Sequence, residues 1–361
     1  MNRLVLLAAA VAVSVCALVF GGASGAAERA SSGWSRLPDP PATRSWSARV
    51  WTGKRLLVWG GADRNGSFPA RGASYDAASR QWSRIPAAPI PGRGDPAAIW
   101  TGSQLLVWGG WGRGTRLFGD GAAYEPARHS WHPLPRAPLS ARTPAVAVWT
   151  GKEFIVWGDR SRTRTVRDGA AYEPATSHWR RLPPAPLALN QATAVWVAGE
   201  VIIFGSHLDD GNNADRLHSE GMSYSPATDR WRLLPRSSLS PQASTISALG
   251  DNTVLAWDYR LNAVRYTPHS NRWTLLPRLP LRERECYPTS AASTKMLVGW
   301  YCQVGALFNP KSGHWQILRP PRPNLAFDRP TAAGSAALFL GAPDGRPFKR
   351  SEFWAYKPRV R

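Results

Sequence analysis

The sequence predicts an all-β protein, a β-propeller of seven blades that each contain four antiparallel strands. The first observation is a repeated phrase in which an aromatic residue precedes a tryptophan by seven positions, as in Tyr124 and Trp131 or Tyr172 and Trp179. The phrase recurs about every 40–50 residues, a period typical of propeller blades. The second observation is composition, because 32 Gly, 32 Pro and 19 Trp suit short strands joined by tight turns. The third is that no long helical pattern is present.

Each repeat unit predicts four strands, named a to d from the centre of the propeller outwards. In the first unit, two apolar runs flank Thr52-Gly53-Lys54, which predicts a hairpin of strands a and b. A variable b–c loop follows, and strands c and d contain the aromatic residue and the tryptophan. The complete units contain Tyr75 with Trp82, Tyr124 with Trp131, Tyr172 with Trp179, Tyr224 with Trp231, Tyr266 with Trp273, and Phe308 with Trp315.

The seventh unit is divided between the two ends of the sequence. Tyr356 holds the aromatic position, and no tryptophan follows it before Arg361. Trp34-Ser35-Arg36-Leu37-Pro38 supplies the missing phrase near the amino terminus. We therefore expect this N-terminal strand to pair as strand d beside the Tyr356 strand and to close the last blade, because such pairing removes an exposed sheet edge.

Glycine doublets indicate which kind of propeller this is. Gly60-Gly61 and Gly109-Gly110 each follow an apolar strand and precede the spaced tyrosine and tryptophan, a combination that resembles the kelch repeat. The resemblance covers residues 34–358, although the doublet is lost in units five and six. It implies a kelch-type propeller over residues 31–361, similar to the central domain of galactose oxidase and to exported bacterial kelch propellers.

Residues 1–27 predict a signal peptide or an N-terminal membrane anchor. Arg3 precedes an apolar run over residues 4–20, and small residues follow over 21–27. Cleavage near Ala26 would release the propeller, whereas an uncleaved segment would tether it, since the run is at the short end for a membrane span. Either outcome predicts a secreted or cell-envelope protein, with membrane contact only through the uncleaved segment.

The charge is strongly positive. Lys and Arg number 45 against 24 Asp and Glu, which gives a net charge of +21, and 39 of the 45 are Arg. Arginine suits bidentate contacts with carboxylates and phosphates. Codon bias is an alternative source of the excess, but the surface attracts polyanions in either case. The expected partner is an anionic glycan, an envelope polymer or an acidic protein, and nucleic acid conflicts with the export signal.

Recurring arginines are the first candidate ligand-binding residues. Arg44, Arg93 and Arg142 each lie seven residues before the tryptophan that ends strand a. Arg284 and Arg329 lie near equivalent places in units six and seven. The hypothesis is a basic ring at the channel mouth, on the face that carries the d–a and b–c loops, where kelch propellers usually bind their ligands. The alternative is that these arginines are solvated loop residues or bind local backbone carbonyls.

The b–c loops add further candidates. Arg113 and Arg116 lie in the second unit, and Arg164 lies within an alternating arginine run of the third unit. Trp111 and Phe118, which lie in the same region as the first two, could stack on a sugar or a base or could pack the loop.

Cys286 and Cys302 predict a disulfide. Strands a and b of the sixth unit place the two cysteines nearly opposite each other, and an exported compartment favours oxidation. Two buried thiols are the alternative.

The predicted function is a monomeric binding or scaffold module without a cofactor, a metal or catalytic residues. Histidines are scattered, and no paired metal-ligand spacing is present. The rival hypothesis is a sugar-modifying enzyme of the galactose oxidase or sialic acid mutarotase type. Glu283 and Glu285, which lie beside Arg282 and Arg284, are the acid/base candidates for that chemistry.

Overall fold

The structure is a computed structural model. It describes residues 33–159, 166–208, 217–240, 245–281, 289–292, 297–301, 304–323, 325–327, 329–343 and 351–358, all within the unit Gly33–Arg361. The predicted signal peptide or anchor over residues 1–27 lies outside these ranges. No helix among the described residues is long and apolar enough to cross a membrane.

The described secondary structure consists almost entirely of short strands, with one 3-10 helix at Arg113–Thr115. In chain order the strands are β1 (Trp34–Leu37), β2 (Ala48–Trp51), β3 (Arg55–Trp59), β4 (Gly72–Asp76), β5 (Gln81–Ile85), β6 (Ala97–Trp100), β7 (Leu105–Trp108), β8 (Gly121–Glu125), β9 (Ser130–Pro133), β10 (Val146–Trp149), β11 (Phe154–Trp157), β12 (Gly169–Glu173), β13 (His178–Arg181), β14 (Asn190–Val197), β15 (Glu200–Leu208), β16 (Leu217–Ser225), β17 (Arg230–Leu233), β18 (Thr245–Ala248), β19 (Val254–Trp257), β20 (Ala263–Thr267), β21 (Arg272–Leu276), β22 (Thr289–Ala292), β23 (Leu297–Tyr301), β24 (Val304–Asn309), β25 (His314–Leu318), β26 (Leu325–Phe327), β27 (Thr331–Ala333), β28 (Ala336–Pro343) and β29 (Glu352–Tyr356).

Strands β2 to β25 form six antiparallel blades of four consecutive strands each, which confirms the predicted all-β propeller with four-stranded blades. In blades one to three, a Thr-Gly pair sets the turn of the a–b hairpin. In blade one, the Thr52 hydroxyl accepts a hydrogen bond of 2.9 Å from the backbone N–H of Arg55, and Gly53 has a φ of +95°. A residue without a Cβ adopts that backbone conformation without steric cost. The same threonine bond recurs from Glu153 to Thr150 in blade three.

The remaining sheet has five strands, so the prediction of seven four-stranded blades is wrong for this unit. Strands β1, β29, β28 and β26 lie side by side in that order, and β27 also pairs with β28. Two short strands thus occupy the place of a single strand a. Pro330 separates these two strands, and its lack of a backbone N–H interrupts the ladder. At the opposite edge of this sheet, β1 pairs antiparallel with β29, and Trp34 lies opposite Tyr356.

The apolar core lies between neighbouring sheets rather than within one of them. Trp59 of blade one packs in one cluster with Val107 and Tyr124 of blade two. The five-stranded sheet packs against blade six through one cluster, and its Phe353 packs with Tyr75 of blade one in another. Each inner strand contacts the inner strand of the next sheet, in the order β2, β6, β10, β14, β18, β22 and β27. Strand β27 also contacts β2. Every strand b with described side chains therefore has neighbours on both faces, which explains the uninterrupted apolar runs.

A hydrogen bond from an indole joins each strand d to the linker of the preceding unit. Trp131 Nε1 of blade two donates to the Pro86 carbonyl at 3.0 Å, and Pro86 belongs to the Ile-Pro that follows strand d of blade one. The corresponding bonds are Trp82 to Pro38, Trp179 to Pro135, Trp231 to Pro183, Trp273 to Pro235, Trp315 to Pro277 and Trp34 to the Arg319 carbonyl. The repeated Trp-x-x-Leu-Pro phrase therefore supplies a donor to one neighbour and an acceptor to the other.

Blades three and four share an additional polar contact on their outer strands. Arg180 of β13 donates two hydrogen bonds to the Glu153 carboxylate, and it also contacts the Tyr224 hydroxyl and Asp229 of blade four, both at 3.0 Å. Burial, together with the bond to Asp229, raises the pKa of Tyr224 to about 12. The neutral Tyr224 hydroxyl thus donates to Asp229 of its own blade and accepts from Arg180 of blade three, which links the two blades.

The indole bond predicts a defined stability cost. Replacing Trp231 with Phe removes the donor to the Pro183 carbonyl at 2.8 Å but keeps an aromatic ring. We expect Trp231→Phe to lower the free energy of unfolding by about 1–3 kcal/mol, because it leaves a partly buried carbonyl without its partner. Denaturant unfolding measures this change. Trp46→Phe is the control, since Trp46 is 43% exposed and lies outside strands d, and an equal loss in both variants would contradict the account.

Candidate functional site

Arg93 lies at the start of blade two and is fully buried. Its Nη1 contacts Asp120 Oδ1 at 2.7 Å, and it also donates to the Gly109 and Asp120 carbonyls at 3.3 and 3.2 Å. Burial lowers the pKa of the Arg93 guanidinium, and the bond to Asp120 opposes that effect. The side chain therefore holds the end of its own b–c loop against strand b.

Arg142 occupies the corresponding place in blade three and is also buried. Its two terminal nitrogens bind the two Asp168 oxygens at 2.5 and 3.0 Å, and its Nε donates to the Ser140 carbonyl at 3.1 Å. Bidentate pairing of this kind is among the stronger polar contacts in proteins. Neither Arg93 nor Arg142 presents its guanidinium to solvent in this arrangement, so the predicted ring does not expose these two members to a ligand.

The backbone of the same arginines joins neighbouring blades through the glycine doublet. The Gly61 N–H of blade one donates to the Arg93 carbonyl, and the Gly110 N–H of blade two donates to the Arg142 carbonyl, both at 2.8 Å. At Gly60, where φ is +68°, an added Cβ would lie 2.6 Å from the Arg93 carbonyl oxygen. The glycine doublet and the recurring arginine are therefore two halves of one joint between blades.

Arg44 holds the same position in blade one but has different surroundings. Its Nη1 donates to the Gly60 carbonyl at 3.0 Å and to the Arg71 carbonyl at 2.7 Å, and the side chain is only partly buried. Burial lowers the pKa of the Arg44 guanidinium, and the charge of Asp63 opposes that effect. No carboxylate among the described residues lies within ion-pair distance of Arg44.

The other predicted residues have varied locations. Arg329 is exposed between β26 and β27. Outside the described residues lie Arg164, Arg284, the predicted disulfide partners Cys286 and Cys302, and the acid/base candidates Glu283 and Glu285. The disulfide and the enzymatic alternative therefore stay predictions. Within the described part of the chain, no three His, Cys, Asp or Glu side chains come together in a way that could hold a metal ion.

Arg113 and Arg116 line a cleft between blades one and two, which we call the inter-blade cleft. It has a volume of about 630 Å³, and its walls come from the blade-one b–c loop, the linker between the blades, and the blade-two b–c loop. The lining residues are Asn65, Gly66, Ser67, Phe68, Pro91, Gly92, Gly112, Arg113, Arg116 and Phe118. Both arginines are exposed, and neither has a carboxylate partner among the residues that the structure describes.

Aromatic side chains form the floor and one wall of the inter-blade cleft. The guanidiniums of Arg93 and Arg116 lie 4.1 and 5.4 Å from the ring centre of Phe118, which is 8% exposed. The Trp111 ring contacts Phe68 at 5.0 Å, and its Nε1 donates to Asp95 at 3.2 Å. Phe118 therefore packs the loop as one alternative predicted, and its stacking on a sugar or a base stays a prediction.

The sequence also contained a signal for the aspartates that were missed. Asp120 and Asp168 both stand directly before the Gly-Ala-Ala-Tyr of strand c, 27 and 26 residues after their arginines. Like the arginines they pair with, they recur at the repeat period, which is the pattern of a structural ion pair. Phe68 had no such signal, because it lies in a loop that does not repeat.

The joint between blades predicts that two glycine-to-alanine substitutions destabilise the protein to different degrees. Gly60→Ala and Gly53→Ala both place a Cβ at positive φ, but only the first directs it at a backbone oxygen, since no atom lies within 4 Å of a Cβ at Gly53. We expect Gly60→Ala to cost about 1–3 kcal/mol more of unfolding free energy than Gly53→Ala. Equal losses in chemical denaturation would contradict the joint.

The Arg142 pair predicts a dependence of stability on pH. The bond from Arg142 lowers the pKa of Asp168 in the folded protein. Its stabilising effect is therefore present above the ordinary carboxyl pKa of about 4 and is lost as the pH falls through the lower folded value. We expect Asp168→Asn to be less stable than the wild type at pH 7, with a difference that shrinks below about pH 4. The urea midpoints of the two proteins measure this difference in stability. A difference that is the same at pH 7 and pH 3 would contradict the ion pair of Arg142 and Asp168.

Comparison with known proteins agrees with this geometry. Residues 46–256 match the model of the KLHDC2/KLHL20/DRC7 Kelch-repeats domain. The match spans more than half of the chain and includes the glycine doublets, Arg93, Arg142 and the inter-blade cleft. A search of the curated proteins found no match to the chain. The chain thus belongs to the KLHDC2/KLHL20/DRC7 Kelch-repeats domain family.

Proposed function

We propose that this chain is a binding module that holds an anionic partner in the inter-blade cleft. The observation that supports the proposal is the pair of exposed guanidiniums, those of Arg113 and Arg116, beside an aromatic ring in a cleft of about 630 Å³. Guanidiniums with open donors suit bidentate contacts with carboxylate or phosphate. The Phe68 and Phe118 rings supply apolar contact for the neighbouring part of the partner.

The partner class follows from charge and from the family. A net charge of +21 attracts acidic molecules before contact. Kelch propellers typically serve as scaffolds for other proteins, so an acidic protein segment is the first candidate. An acidic glycan or an envelope polymer presents the same anionic groups and is distinguished from it by experiment.

We also propose that the five-stranded sheet serves as the seventh blade and closes the propeller. The pairing of β1 with β29, the indole bond of Trp34 and the packing against blades six and one support this role. Export, the monomeric state and the disulfide of Cys286 with Cys302 complete the proposal and rest on the sequence.

The proposed cleft predicts loss of polyanion binding on removal of two charges. We expect the double variant Arg113→Ala/Arg116→Ala to weaken binding of the preferred polymer by about tenfold or more, because charge-assisted hydrogen bonds each contribute about 1.5–3 kcal/mol. Calorimetry with poly-glutamate, polygalacturonate and polyphosphate, at low and high salt, identifies that polymer. Binding is expected to weaken with salt, since exposed charges are screened.

The matched control is Arg128→Ala/Arg272→Ala, which removes the same charge from an exposed c–d turn and from the exposed start of β21. If affinity depended only on net charge, both double variants would lose it equally. That result, or undiminished binding in the Arg113/Arg116 variant, would contradict the proposed cleft.

A further inference from the structure

The residue directly before the glycine of the Gly-x-x-Tyr segment in strand c is acidic in blades two, three and four and basic in blade one. Asp120 pairs with Arg93, and Asp168 pairs with Arg142. In blade four, Glu220 lies 3.4 Å from Arg236. Blade one has Arg71 at this place, so a basic residue stands where blades two, three and four have a carboxylate.

The backbone around this position is the same in blades one and two. Arg93 donates to the carbonyls of Gly109 and Asp120, and Arg44 donates to the equivalent carbonyls of Gly60 and Arg71. The first glycines of the two doublets also share one conformation, with φ of +68° at Gly60 and +66° at Gly109. Blade one thus keeps the two carbonyl acceptors and the glycine conformation found at the ion pair, but not its carboxylate.

Blade one does not replace the missing carboxylate with another of its own. Asp63 is the acidic residue whose charge acts on Arg44. Its Oδ1 accepts the backbone N–H groups of Asn65 and Ser67, both at 2.9 Å, which ties Asp63 to the turn of its loop. Arg44 is therefore a partly buried cation whose described hydrogen bonds go only to backbone carbonyls, all through Nη1.

We propose that Arg44 and Arg71 form an anion-binding site, which takes a carboxylate or phosphate group in the position that the Asp120 and Asp168 side chains fill in blades two and three. Such a group would complete the charge-assisted hydrogen bonds of the guanidinium. Because Arg71 adds a second positive charge, the site favours an anion over a neutral acceptor. The site does not require the inter-blade cleft, which is lined by other residues.

The test restores the missing carboxylate within the chain. The variant Arg71→Asp reproduces the residue of blades two and three, so its side chain would pair with Arg44 and occupy the site. We expect the full-length wild type to gain thermal stability from inorganic phosphate or from acetate at constant ionic strength, and the variant to lose that gain. In calorimetry, binding of the effective anion should weaken by about tenfold or more. The two anions distinguish a phosphate source from a carboxylate source.

The thermal midpoint without added anion provides a second readout. Arg71→Asp should raise it, because the new pair compensates Arg44, whereas the charge-matched Arg84→Asp on β5 should not. Arg84→Asp should keep the wild-type response to the anion, which shows that the charge change alone does not remove it. An anion response that is unchanged in Arg71→Asp, or a wild type that responds to neither anion beyond chloride, would overturn the proposal.

Discussion

The hydrogen bond from each strand-d indole to the linker carbonyl of the preceding unit is the contact on which the arrangement of sheets depends. It fixes the outer edge of one sheet to the linker that leaves the neighbouring sheet. The apolar clusters between sheets set how far apart the sheets lie, but apolar contact is not directional and does not fix their orientation. A tryptophan supplies both a large packing surface and a single directed donor. The proline that follows strand d has no N–H of its own, so the linker acts there as an acceptor only. This reciprocal arrangement explains why the tryptophan and the Leu-Pro recur together.

A second constraint acts at the inner end of the blades. The recurring arginine accepts from a glycine of the preceding blade and donates to the b–c loop of its own blade, as Arg93 does with Gly61 and Asp120. A residue used in this way contributes to the fold, and its burial keeps its guanidinium away from a partner. Residues free to define specificity therefore lie in the loops between these joints, where Arg113 and Arg116 are exposed. The exception is blade one, where the joint is present and its carboxylate is missing.

The repeat phrase allowed the strand order and the four-stranded blades to be predicted, because one period recurs through most of the chain. The five-stranded sheet could not be predicted from the repeat. Pro330 directly precedes β27, but Pro96 precedes β6 in the same way, and blade two has only four strands. Only some of the residues that line the inter-blade cleft could be predicted from the sequence. Arg113, Arg116 and Phe118 stood out by residue type, but the approach of Phe68 depends on a loop that does not repeat. The role of Arg93 was misjudged because recurrence was taken as a sign of function, although its periodic partner Asp120 indicates a structural pair.

The central claim is that the indole bonds form one continuous series that includes Trp34, the tryptophan donated by the N-terminal strand. Hydrogen exchange of the ¹⁵N-labelled indole N–H groups in the intact chain tests this directly, because protection reports the free energy of opening each bond. The account predicts that Trp34 is protected to the same degree as Trp131 and Trp231, whose donors bind equivalent linkers. Exchange of Trp34 at the rate of an unstructured chain, while the other two stay protected, would contradict it.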